Sequence, residues 1–181
     1  MLNLTVPTPG LSFGSIIFRS DLYSQIEIEK IWEEKFGPSF FLLSAFNPSL
    51  DYYHKEMQGE LTRLLVLSSQ TISRESILES KKWALTQEIK FLGHNNERTI
   101  NWDTGLLTAE SFFLATTKSY AHRFYLGESL FSELTLYQEN NSWTSLPWTY
   151  PDYLHSQKLE FLSWGRAFLL EKLLQKTQEL L

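Results

Sequence analysis

Leu61-Thr62-Arg63-Leu64-Leu65-Val66-Leu67-Ser68-Ser69-Gln70-Thr71-Ile72 is the stretch on which the fold turns. Its strongest part, Leu64-Leu65-Val66-Leu67, is a short apolar run of the kind that fills a buried strand. Leu61–Ile72 therefore reads as a strand.

Towards the N-terminus, residues 51–59 are polar and aromatic and read as a helical turn. A strand precedes them at 39–46, ending at Asn47-Pro48. Before that, Ile28, Ile31, Trp32 and Lys35/Phe36 keep helical spacing, with Gly37-Pro38 as a stop. Ser20 or Asp21 is the expected cap, since a side-chain oxygen there can accept early backbone N–H bonds. Residues 11–19 crowd Phe13, Ile16, Ile17 and Phe18 into a strand, and residues 1–10 lead in through the turn Pro7-Thr8-Pro9-Gly10.

Towards the C-terminus, Ser76 and Glu79 have capping-box spacing. Leu78, Leu85, Ile89 and Leu92 then lie on one helical face until Gly93. A strand is expected at 98–102, followed by a turn at Asp103-Thr104-Gly105. Thr108 is expected to cap a helix through Phe112, Phe113, Ala115 and Thr116 towards His122. Residues 131–138 and 142–148 read as a hairpin around Glu139-Asn140-Asn141, because Asn tolerates the positive φ of such turns. A long helix closes the chain over 154–181, with Leu159, Leu162, Leu169, Leu173, Leu180 and Leu181 along one stripe, widened by Leu170 and Leu174.

The order β-α-β-β-α-β matches a ferredoxin-like split arrangement. The expected fold is thus α+β: a ferredoxin-like βαββαβ core with a mostly antiparallel sheet, helices on one face, an added β-hairpin and a long C-terminal helix. The length of 181 residues suits one domain, 1–181, rather than two.

Composition narrows the function classes. With 43% hydrophobic and 20% charged residues the chain is not intrinsically disordered, and 13 Phe, 8 Tyr and 6 Trp supply a large core. No cysteine occurs, which excludes disulfides, thiolate nucleophiles and Cys-ligated metal. The net charge is −5 and the 16 basic residues form no run, so a nucleic-acid partner is not expected. The first residues lack a basic segment followed by an apolar one, and no apolar run approaches the roughly 18–20 residues of a membrane span. A cytoplasmic location without membrane contact is the default. No P-loop, G-x-G-x-x-G fingerprint or G-x-S-x-G elbow is present, and no cofactor is indicated.

Four polar clusters remain. Asp51-Tyr52-Tyr53-His54-Lys55-Glu56-Met57 holds two acids and a His, at a spacing that fits no established metal signature; solvated charge on a connector is the plainer account. Asn101-Trp102-Asp103-Thr104-Gly105 follows a strand, where rigid backbone aims binding groups, though Asn and Asp beside Gly are also ordinary turn chemistry. Ala115-Thr116-Thr117-Lys118-Ser119-Tyr120-Ala121-His122-Arg123 puts Lys118 and His122 one helical turn apart with Arg123 alongside. This is either a cationic wall for an anion or charge complementing a helix dipole. Trp148-Thr149-Tyr150-Pro151-Asp152-Tyr153 reads as core wrapping the sheet edge.

Asp51-Tyr52-Tyr53…Glu56-Met57, Asn101…Asp103…Gly105, Ala115-Thr116-Thr117-Lys118…His122-Arg123…Tyr125-Leu126-Gly127, Glu133…Thr135-Leu136 and Pro147-Trp148-Thr149-Tyr150-Pro151-Asp152-Tyr153 together resemble the bacterial domain-of-unknown-function family 4416. The resemblance runs from the first strand to the start of the last helix. Trp102 and Thr104 stand where that family usually has Leu and Pro, and the glycine after Glu56-Met57 is displaced to Gly59. The resemblance implies no established activity. Some relatives carry a GTP-binding label, whereas this chain has neither a P-loop nor an N-K-x-D-type guanine-reading motif.

The leading expectation is a pocket for a small anionic ligand such as a nucleotide or phosphorylated metabolite. Candidate ligand-binding residues are Asp51, Tyr53, Glu56, Asn101, Asp103, Thr117, Lys118, His122, Arg123 and Glu133. Lys118 and Arg123 would hold the anion, His122 would carry a switchable proton, and Asp103 with Glu56 or Glu133 would orient cations or a metal. The alternative is a structural or interaction protein, with a homo-oligomer formed through the terminal helix or hairpin edge. A third reading is a hydrolase using His122 and Asp103, across a water or metal.

Overall fold

A computed structural model describes residues 5–44 and 50–178, with side chains throughout except those of Leu50, Asp51, Tyr52, His54 and Thr177. The end of the strand expected at 39–46, and the terminal Leu180 and Leu181, lie outside the described residues.

The elements are β1 (Gly10–Arg19), α1 (Gln25–Phe36), β2 (Ser39–Leu43), α2 (Leu50–Met57), β3 (Leu61–Ile72), α3 (Ser76–Lys90), β4 (Ile100–Leu107), β5 (Ser111–Thr116), β6 (Phe124–Gly127), β7 (Leu130–Glu139), β8 (Ser142–Ser145), a 3-10 turn (Pro151–Leu154) and α4 (Ser156–Gln178). The strands form one sheet in the order β2-β3-β1-β4-β5-β7-β6, and the outer edge of β7 also pairs with β8. Every pairing is antiparallel.

Side-chain alternation divides the core between two faces. Ile16, Phe18, Leu64, Val66, Ile100 and Trp102 pack under α1 and α3, against Ile28, Trp32, Phe36 and Ala84. Leu11, Phe13, Leu65, Leu67, Leu107, Phe112 and Leu136 form the other face, covered by Tyr153, Leu162 and Leu169 of the 3-10 turn and α4. Helices therefore cover both faces rather than the expected one. The continuous apolar run Leu64-Leu65-Val66-Leu67 already demands this, since a strand wet on one side alternates. α1 also comes close: a Cβ on Gly14 would stand 2.6 Å from the Trp32 ring.

Several boundaries differ from the sequence reading. α1 starts at a Ser24–Glu27 capping box, not at Ser20 or Asp21; Asp21 is held in the preceding turn by Arg19, 2.5 Å away. The expected Ser76–Glu79 box does not form, because Ser76 is already helical and Glu79 pairs with Lys82 at 3.1 Å. α3 buries Ile77, Ser80, Lys81, Ala84 and Glu88, while Ile89 is 69% exposed. Its inner face is rotated from the expected leucine stripe because buried charges occupy it.

The largest correction concerns residues 103–122. Asp103-Thr104-Gly105 is not a turn but the middle of β4, which extends well beyond the expected 98–102. No helix follows Thr108. Instead β5 folds back, Gly105–Leu107 pairing with Phe112–Leu114. Thr108 does cap backbone donors, its Oγ1 accepting from Glu110 N at 3.3 Å and Ser111 N at 3.0 Å, but the capped structure is a hairpin turn. Lys118 and His122 consequently lie on a loop and share no helical face. β6 is an additional strand beyond the expected elements; it joins β7 through Glu128 and Ser129, both at positive φ (51° and 61°). The expected β7–β8 hairpin is present with Asn140 and Asn141 at φ 50° and 59°, β8 ending at Ser145 rather than 148.

Candidate functional site

Register builds one polar face from three strands. Arg63 of β3, Ile17 of β1 and Asn101 of β4 stand opposite one another, and the next row places Leu65, Ser15 and Asp103 side by side. Residues so aligned point to the same side of the sheet, here the side covered by the 3-10 turn and α4.

A break in the sheet turns that face into a cavity. β4 pairs with β5 only over Gly105–Leu107, so residues 100–104 have no β5 partner. Two side chains of α3 take up the open ladder: Trp102 N–H donates to Glu88 Oε1 at 2.8 Å, and Lys81 Nζ donates to Trp102 C=O at 2.9 Å. Buried backbone groups must find such partners. The parting opens a cavity of about 350 Å³, at the small end of the ~300–1,000 Å³ typical of ligand sites.

Five cationic side chains line this cavity (Arg63, Lys81, Arg98, Lys118, Arg123) against four carboxylates (Glu88, Asp103, Glu133, Asp152). Most are paired. Asp152 Oδ2 accepts from Arg63 Nη1 and Lys158 Nζ, each at 2.6 Å. Arg98 donates to Glu88 Oε2 at 2.9 Å, Asn101 Oδ1 at 3.0 Å and Glu56 at 3.3 Å. Glu133 Oε2 meets Arg123 Nε at 2.7 Å and His122 Nε2 at 3.1 Å, while its buried Oε1 has no hydrogen-bond partner among the described residues. Asn101 Nδ2 donates to Asp103 Oδ2 at 3.0 Å, and Lys81 Nζ lies 4.0 Å from Asp103 Oδ1.

Burial shifts several of these groups. The Tyr53 phenol is raised, first by burial and then by the Asp103 charge. Burial raises Glu88 despite Lys81 and Arg98 nearby. Lys158 is lowered to about 8 by burial and then by repulsion from Arg63, against the pull of Asp152. Such a site favours keeping its charges in pairs.

Of the residues singled out from sequence, Tyr53, Asn101, Asp103, Thr117, Lys118, Arg123 and Glu133 line the one cavity. His122 stands outside the lining, stacked on Trp148 at 4.9 Å and bonded to Glu133, not to Asp103. Glu56 reaches the cluster only through Arg98. The side chain of Asp51 lies outside the described residues. Tyr153 packs in the core as expected but also lines the cavity, together with Asp152 and the half-exposed Tyr150, so this cluster is not core alone.

Sequence reasoning missed Arg63, Lys81, Glu88, Arg98 and Asp152. A signal existed for the first three. Arg63 is a cation inside a strand of apolar residues. Lys81 and Glu88 share a helical face with Ile77 and Ala84, where charge needs a buried partner.

These features define a mixed α+β protein with one open antiparallel sheet and a charged cleft where two of its strands part. No helix among the described residues is long and apolar enough to cross a membrane. A family model, described as a domain of unknown function (DUF4416), matches residues 9–168, and the chain belongs to that family. No curated protein and no solved structure matches it.

Proposed function

We propose that the cleft between β4 and β5 binds a small anionic ligand. The observation that carries this reading is the excess of cations lining the cleft in a chain of net charge −5. Three of the four carboxylates, Asp152, Glu88 and Glu133, are held by neighbouring cations, and Lys118 Nζ has no partner among the described residues. Lys118 supplies a charge-assisted bond to the anion. Arg123, which donates to Glu133, Lys118 O and Tyr150 Oη, keeps further N–H donors for it. His122 acts behind the wall, through Glu133. A hydrolytic pairing of His122 with Asp103 draws no support from this geometry.

The test is a thermal-shift series with inorganic phosphate, sugar phosphates, nucleotides and divalent metals. A ligand at about a hundred times its dissociation constant stabilises by roughly 2.7 kcal/mol. A phosphorylated compound is expected to raise the melting temperature of the wild type and to do so less in Lys118→Ala. No shift with any anion overturns the reading.

A second reading, an interaction surface on the terminal helix, is favoured by one observation. Trp164 of α4 is 46% exposed, stacked between Phe161 and Phe168 and met edge-on by Phe40. Sedimentation of the wild type against Trp164→Ala tests it: equal monomeric masses oppose a homo-oligomer built there.

We also read the first four strands as ferredoxin-like. The order β2-β3-β1-β4 supports this, since α1 and α3 each join strands separated by one neighbour.

A further inference from the structure

We infer that the ligand of this cleft is a polyhydroxylated anion of the sugar-phosphate class, its vicinal hydroxyls held by Asp103 and its anionic group by Lys118; this rests on the anion reading above. Three of the four cavity carboxylates are largely withdrawn from solvent and bonded to cations: the Glu133, Glu88 and Asp152 side chains are 2%, 9% and 13% exposed. Asp103 is different. Its side chain is 41% exposed, and its cationic neighbour Lys81 is 4.0 Å away.

The same sorting applies to the cations. Arg63, Lys81 and Arg123 side chains are nearly buried and Arg98 is shared between Glu56 and Glu88. Lys118 is exposed and unpaired among the described residues. The paired charges therefore make a fixed wall, to which Arg123 adds its remaining N–H donors, and one carboxylate and one ammonium of the lining are left without a close counter-charge.

They stand on the two strands that part: Asp103 within β4, and Lys118 two residues beyond the end of β5. A ligand bridging them needs hydrogen-bond donors at one end and negative charge at the other. A simple anion would meet only repulsion at Asp103. A carboxylate with two acceptor oxygens suits a pair of adjacent hydroxyls. Asn101 Nδ2, donating to Oδ2, holds that carboxylate in place.

Calorimetric titration with ribose 5-phosphate, 2-deoxyribose 5-phosphate, inorganic phosphate and ribose tests the assignment. Ribose 5-phosphate is expected to bind about tenfold or more tighter than the deoxy compound or phosphate, the worth of one charged hydrogen bond. Asp103→Asn is expected to abolish that preference while phosphate binds as well or better. Lys118→Ala is expected to weaken both phosphorylated sugars and phosphate. If phosphate binds as tightly as ribose 5-phosphate, or if Asp103→Asn keeps the preference, the sugar assignment fails and the anion reading stands. If no phosphorylated compound binds, both fail.

Discussion

Asp152 Oδ2 accepts hydrogen bonds from Arg63 and Lys158 at once, in surroundings where the Lys158 side chain is 1% exposed. One carboxylate cannot fully compensate two buried cations, and Lys158 falls from its ordinary 10.5 to about 8. The sign of the consequence follows from proton counting. Between about pH 8 and 10.5 the unfolded chain keeps a proton that the folded protein has released, so stability rises with pH. Tyr53 and Tyr153 oppose this higher up. Their phenols are raised above the usual 10, the folded state holds protons the unfolded state loses, and stability falls there. Urea unfolding is therefore expected to show stability climbing from pH 8 towards 10, by up to about 1.4 kcal/mol per pH unit, and then turning over. Lys158→Met is expected to remove the climb. A flat wild-type profile over that window contradicts the account. The Arg63–Asp152 pairing was not legible in the sequence because it crosses 89 residues of chain.

At the level of elements, α3 substitutes for a missing strand. Glu88 and Lys81 take the N–H and C=O of Trp102 that β5 leaves unpaired. Glu88→Ala is expected to orphan that amide at a cost of about 1–3 kcal/mol. Hydrogen exchange at Trp102 should accelerate, while Gly105–Leu107, paired with β5, keep their protection. Glu88→Gln, which retains an acceptor, should exchange slowly; equal exchange in both variants contradicts the plug. This is also where the sequence misled most. Phe112-Phe113-Leu114-Ala115 is a short apolar run that suits helix or strand equally, and a Thr before it caps either a helix or a hairpin turn. The choice fell to β7, whose edge pairs along the whole of β5.

For the whole molecule, the two-sided sheet depends on close approach of α4. A Cβ at Gly165 would lie 2.3 Å from Leu67 Cδ1 and 3.0 Å from Leu107 Cδ2. Gly165→Leu is expected to force the helix outward and cost at least about 1–3 kcal/mol, read as a lower denaturation midpoint. The same variant should weaken any ligand of the cleft, since Asp152 and Tyr153 reach it from the turn that leads into α4. An unchanged midpoint contradicts this packing.

Local chemistry alone determined much of this protein. Leu61–Ile72 is a strand because apolar residues crowd it, Gly37 ends α1 at φ 73°, Asn140 and Asn141 turn the β7–β8 hairpin, and the two polar clusters around Asp103 and Lys118 stand out by composition. Tertiary structure decided the rest: the strand identity of residues 111–116, the burial of Lys81 and Glu88, and the gathering of both clusters around one cavity. The reason is that hydrogen-bond partners for a strand edge, and counter-charges for a buried ion, come from distant chain. Periodicity within a segment can place a side chain on a face, but it carries no information about what lies across from it.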